Sequence, residues 1–208
     1  MDQDIISKVG KKADRCAAAV LIGGRSKRMG QHKPGLELAG LSLLERALRA
    51  AALASEELWV IGGQLPEIPG PAFRHAPDLQ PECGPLGGLL TALTVIESPR
   101  CLLLAADMPF VSAPLLVRLC ELSASADVVV PRNSRGYHPL CATYARSLIP
   151  LVEARLRERR LKVQDLYSAV RCLEVTDLED FRQDGRDPLE NVNTPEELER
   201  ARASLESP

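Results

Sequence analysis

The chain has 208 residues, of which 45% are hydrophobic and 26% charged, with a formal net charge of −2. That length and balance suit one domain with a real core and exclude wholesale disorder. The near-neutral charge excludes the global basic field of a nucleic-acid-binding protein, so an anion site must come from local clustering.

Residues 1–15 alternate charges with short apolar pairs and lack an apolar core of signal-peptide length. They read as an N-terminal extension to a single domain over 16–208. No run approaches the roughly 20 apolar residues of a membrane helix, and the expectation is a soluble, cytoplasmic protein. The six cysteines (Cys16, Cys83, Cys101, Cys120, Cys141 and Cys172) form no C-x-x-C pair. They predict reduced, largely buried thiols, with neither a zinc site nor a thioredoxin-type site.

Residues 16–22 (CAAAVLI) form a continuous apolar run stopped by Gly23-Gly24, the pattern of a buried parallel strand. Residues 43–53 carry a helical stripe of Leu44, Ala47, Leu48 and Ala51, with Ser42 as N-cap. Strand 58–61, a short strand at 73–76, a helix over 86–96 and the apolar strand 101–106 follow. Then come a helix at 113–122, strands at 127–130 and 140–144, and an amphipathic helix over 147–160. A last strand at 171–175 precedes a helix over 195–205 that starts with Thr194 as cap and Pro195. Alternating strands and helices, with strands apolar throughout, predict a three-layer α/β/α sandwich around a mostly parallel sheet. Ligands bind such sheets beyond the carboxyl ends of the strands.

The segments after those strands carry the chemistry. After the first strand, Arg25, Lys27, Arg28 and Lys33 lie within nine residues that contain no acid. Glycines there let the backbone approach a ligand, and the cations supply charge-assisted bonds to phosphate oxygens. The spacing is neither that of a Walker A loop nor that of a dinucleotide fingerprint. After strand 101–106 comes Asp107-Met108-Pro109-Phe110. Read alone, Asp107 is either a cap or a ligand for Mg²⁺, which favours one or two carboxylates plus substrate phosphates. Gly84-Pro85-Leu86-Gly87-Gly88 reads either as a flat platform for a base or ribose or as a plain turn. Asn191-Val192-Asn193-Thr194-Pro195 reads either as a ligand-binding pair of amides or as turn residues.

Together these segments resemble the molybdenum cofactor guanylyltransferases. That family follows its first strand with LAGGxSxRMGxDK, and this chain has Leu21-Ile22-Gly23-Gly24-Arg25-Ser26-Lys27-Arg28-Met29-Gly30-Gln31-His32-Lys33. The GPL-x-G turn, the D-x-P-F segment and N-V-N-T-P occur in the family's order. The resemblance implies a Rossmann-like sheet of the nucleotide-diphospho-sugar transferase type. It also implies transfer of GMP from GTP to the terminal phosphate of molybdopterin or Mo-molybdopterin, with Mg²⁺ as cofactor and molybdoenzymes or their chaperones as partners. In the same terms, Leu21, Ile22, Gly23, Gly24, Gly62, Asp78, Gly84, Pro85 and Leu86 contact the nucleotide. Arg28, Lys33 and Asp107 are the catalytic set, Lys33 and Asp107 also contact the nucleotide, and Asp107 and Asn193 hold the metal. Arg135, His138, Arg160, Asn191 and Asn193 take the acceptor, in a region that also includes Arg155, Arg159 and Lys162 and the whole stretch 135–139.

Three positions depart from the family pattern. Ile22 replaces an alanine, which implies a narrower nucleotide pocket; His32 replaces an aspartate; and Gly62 stands where an asparagine is usual. Two alternatives stay open: a transferase using CTP or a sugar-phosphate acceptor, and a non-catalytic nucleotide-binding partner.

Overall fold

A computed structural model describes residues 16–23 and 36–206. In chain order its strands are β1 (Cys16–Leu21), β2 (Glu37–Leu38), β3 (Leu41–Ser42), β4 (Leu58–Ile61), β5 (Arg74–Ala76), β6 (Arg100–Ala105), β7 (Val128–Asn133), β8 (Gly136–Tyr137), β9 (Cys141–Ala145) and β10 (Cys172–Val175). The helices are α1 (Leu43–Ala54), α2 (Gly84–Val95), α3 (Ala113–Leu122), α4 (Ile149–Arg157) and α5 (Pro195–Glu206).

The main sheet runs β10-β7-β9-β6-β1-β4-β5, with β8 pairing on β7. β1 lies parallel to β6 and β4, and β4 lies parallel to β5. β9 enters antiparallel to both β6 and β7. All other strands of that path therefore point the same way, and their carboxyl ends form one rim.

The apolar run of β1 follows from burial on both faces. Ala18 and Val20 face a core shared with Leu44 and Leu48 of α1 and with Leu115 and Leu119 of α3. Ala17 and Ala19 face the opposite core, made with Leu86, Leu89 and Leu93 of α2 and Val152 of α4. Each leucine fully buried this way contributes about 1.5–3 kcal/mol. The three layers match the expected architecture. Five of the six free cysteines are buried and Cys172 is half-buried. No helix among the described residues is long and apolar enough to cross a membrane.

Helix α1 starts where Ser42 Oγ accepts the Glu45 N–H at 3.1 Å, the cap read from sequence. The helix expected over 147–160 is shorter. Pro150 sits in its first turn, which suits a residue without an N–H. Arg159, at φ 58°, ends the run with a left-handed residue, and Arg160 N–H closes back onto the Arg155 carbonyl at 2.9 Å. A third, smaller apolar cluster joins Leu38, Leu43 and Phe110 to Val192, Leu198 and Ala201, seating α5 against the loop that follows β6.

Candidate active site

The rim of strand ends is knit by backbone hydrogen bonds that continue past the strands. Ile22 N–H donates to the Ile61 carbonyl (2.9 Å), Gly62 N–H to Ala76 (2.9 Å) and Ala106 N–H to Leu21 (3.2 Å). Leu21, Ile22, Gly62 and Ala106 are thereby fixed side by side. Gly23 follows at φ 145°.

Gly62 turns the chain out of β4 at φ 92°. A Cβ there would stand 2.5 Å from the Ile22 carbonyl oxygen and 3.1 Å from Asp78 Oδ2. No side chain fits that space, so the asparagine usual in the resembling family is incompatible with this turn. Ile22 is 2% exposed and packs into the core under the sheet, where its Cγ1 and Cδ1 lie 3.6 and 3.7 Å from the place a Cβ on Gly63 would take.

Asp78 is half-buried beside Gly62, and burial pushes its carboxyl above the usual range. The turn carrying it is anchored to α2, because Leu79 N–H donates to Thr91 Oγ1 at 3.0 Å and that hydroxyl donates to the Gly87 carbonyl at 3.0 Å. At Gly88 a Cβ would sit 3.0 Å from the Leu21 methyls, so α2 approaches β1 closely there. Gly84 and Pro85 are exposed at the start of α2. Leu86 is wholly buried in the core, so Gly84 and Pro85 are the exposed part of this turn.

Asp107 follows β6, partly exposed on the rim. Its carbonyl accepts the Val192 N–H at 2.8 Å, which brings the Asn191–Asn193 segment against it. That segment is held by a reciprocal cap. Glu197 Oε2 accepts the N–H groups of Asn193 (2.5 Å) and Thr194 (3.2 Å), while Thr194 Oγ1 accepts the Glu197 N–H at 3.2 Å. A cleft of about 420 Å³ opens here. Its walls include Arg135, Tyr137, His138, Asn191, Asn193 and Glu197, over Met108, Leu140 and Leu189.

His138 is pinned at both ends of its backbone: its N–H donates to Pro131 and its carbonyl accepts the Cys141 N–H, each at 3.0 Å. Burial lowers its imidazole pKa, Asp187 opposes that shift and Arg135 adds to it. Its Nε2 is buried without a hydrogen-bond partner among the described residues. Arg135 lies 3.9 Å from Asp187.

The structure thus gathers Arg135, His138, Asn191 and Asn193 around one cleft next to Asp107. Arg160 is not among the lining residues; its guanidinium pairs with Asp165 (3.4 Å) and Glu158 (3.9 Å). Arg155 likewise pairs with Glu158. Gly24, Arg28, His32 and Lys33 lie outside the described residues.

Among the described residues no group of three or more His, Cys, Asp or Glu side chains gathers as a metal cage. Asp107 and Asn193 offer hard oxygen donors instead, which fits a cation taking most of its ligands from phosphates and water. Sequence reasoning took in Tyr137 only as part of the acceptor stretch 135–139 and missed Glu197 and His75. Glu197 sits close to a segment that had been singled out. His75 lies inside a strand, and nothing in its neighbours marks it.

The MobA-like NTP transferase domain matches residues 18–172. A protein of Pelotomaculum thermopropionicum, named a probable molybdenum cofactor guanylyltransferase, is 35% identical over 93% of this chain and 95% of its own. Among solved structures, molybdopterin-guanine dinucleotide biosynthesis protein A of Archaeoglobus fulgidus superposes with a TM-score of 0.75. It is 23% identical and covers 92% of this chain and 100% of its own. A Mycobacterium tuberculosis protein solved in complex with manganese gives a TM-score of 0.65 at 18% identity, over 91% and 98% of the two chains.

Proposed function

The chain belongs to the MobA-like NTP transferase family, and from that premise we propose that it transfers GMP from GTP to the terminal phosphate of molybdopterin or its molybdenum-loaded form. One observation carries the reading. Gly62, packed against Asp78, and the Asp107–Val192 junction stand at the ends of β4 and β6, the two strands that flank β1, on one rim, with the cleft of Arg135 and His138 beside them.

In the proposed reaction an oxygen of the acceptor's terminal phosphate attacks the α-phosphorus of GTP. The bond between that phosphorus and the bridging oxygen to the β-phosphate breaks, and pyrophosphate leaves. A phosphate monoester carries about −1.5 to −2 charge at pH 7, so the nucleophile is already ionised and no protein base has to remove a proton. Two anions must be brought together while charge grows on the leaving group, a task for positioning and electrostatics. Arg28 and Lys33 are assigned to the triphosphate. The rim backbone at Leu21 to Gly23, with Asp78, is assigned to the nucleoside. Arg135, His138 and Asn191 are assigned to the acceptor. A divalent cation held by Asp107 and Asn193, Mg²⁺ in this reading, supplies positive charge to the phosphate oxygens. Cytoplasmic location and delivery of the product to molybdoenzymes or their chaperones belong to the same proposal.

The test measures pyrophosphate release with each of the four nucleoside triphosphates, with and without molybdopterin. Release that requires GTP and molybdopterin supports the reading. Preference for CTP moves the chain to a cytidylyltransferase, and binding without release makes it a non-catalytic nucleotide binder.

A further inference from the structure

His75 sits on the edge strand β5, opposite Val60 of β4. Its side chain is exposed, yet its Nε2 lies 2.9 Å from the Gly62 carbonyl oxygen. A carbonyl only accepts, so that nitrogen carries the proton. The contact has a local cause. Gly62 N–H still pairs with Ala76 in the ladder, but the turn at φ 92° takes its carbonyl out of the strand direction, and the imidazole satisfies it.

A peptide group is planar, and in a trans peptide the N–H points opposite to the C=O. Fixing the Gly62 carbonyl toward His75 therefore aims the Gly63 N–H the other way, toward the end of β1. The positions agree: a Cβ on Gly23 would stand 4.0 Å from the Gly63 nitrogen, and one on Gly63 would stand 3.2 Å from the Ile22 carbonyl. Gly63 is exposed, and its N–H donates to no described residue. The result is a fixed backbone donor at the carboxyl end of the central strand, held from the edge strand by a side chain that meets the rim only at the Gly62 carbonyl.

We propose that the Gly63 N–H is a hydrogen-bond donor to the bound nucleoside and that His75 is the positioning residue that aims it. This rests on the reading of the rim as a nucleotide site. His75 itself touches no substrate. Its effect is confined to the orientation of one peptide, so it belongs to nucleotide affinity and to neither turnover nor acceptor binding.

The experiment uses the full chain with the triphosphate the wild type accepts. His75→Ala should raise KM for that nucleotide about fivefold, the order of one hydrogen bond, with kcat and the acceptor KM unchanged. His75→Gln, whose amide can donate to the same carbonyl, should return the nucleotide KM to within about twofold of wild type. Unchanged nucleotide KM in His75→Ala, or a loss spread equally over kcat and both KM values, overturns the assignment while leaving the proposed function intact. A wild-type chain that binds no nucleoside triphosphate overturns both.

Discussion

The backbone N–H of Val192 donates to the carbonyl oxygen of Asp107 at 2.8 Å, so the residue after β6 is held on its far side by the segment that leads into α5. Asp107 thus meets the rim through Ala106, bonded to Leu21, and meets the C-terminal segment through its own carbonyl. Its backbone is held between two anchored stretches of chain.

Asp107→Ala should lower metal-dependent turnover by about 10²-fold or more, the scale of removing a key electrostatic group. Nucleotide binding measured without metal should change little. Near-normal turnover in the variant would remove Asp107 from the mechanism.

Gly62→Ala should destabilise the fold and weaken nucleotide binding together. The added Cβ meets a backbone oxygen, which cannot swing away, at a φ that side chains rarely adopt. A cost of about 1–3 kcal/mol lowers the melting temperature by roughly 3–10 °C in a domain of this size. Calorimetry and a nucleotide titration on the same sample check it.

Asp78→Asn should move stability and binding in opposite directions. Burial raises the Asp78 carboxyl pKa in the folded state. A raised carboxyl favours the fold when protonated, and that contribution is lost as pH rises through the folded value. At neutral pH the ionised group therefore works against folding. The amide removes that penalty, so the melting temperature at pH 7 should rise while GTP affinity falls about tenfold or more, as for hydrogen bonds to a charged group. Thermal melts at pH 4 and pH 7 check the sign, because the advantage of the variant should shrink at the lower pH.

Ser42→Ala serves as the control remote from the rim. Loss of its bond to the Glu45 N–H should cost about 1 kcal/mol, or a melting shift of roughly 2–4 °C. No kinetic constant should change, and a change in KM would mean that α1 reaches the site.

Most of the sheet was legible because its strands are short apolar runs ended by glycine or proline, and because Ser42 and Thr194 mark helix starts in side chains. The reversed direction of β9 was not legible, because hydrophobic pattern is blind to strand sense and Leu140 to Tyr144 reads the same either way. The two-residue pairings β2–β3 and β8 on β7 are too short for any period to register. At the site, Asp107 and the Asn191–Asn193 segment stood out because they directly follow apolar runs or precede a cap. The close fit of Gly62 against Ile22 and Asp78 depends on three separate stretches meeting, and His75 acts across a strand pair, so neither had a local signature.

The small apolar cluster of Leu38, Leu43, Phe110, Val192, Leu198 and Ala201 has a bearing on order of assembly. During synthesis β6 and Asp107 leave the ribosome well before Val192 and α5 exist. A nascent chain that has emerged only through β10 holds every strand of the sheet but lacks the strap across Asp107. The strap across Asp107 and the Asn191–Asn193 wall of the cleft are therefore the last parts of the rim to be made.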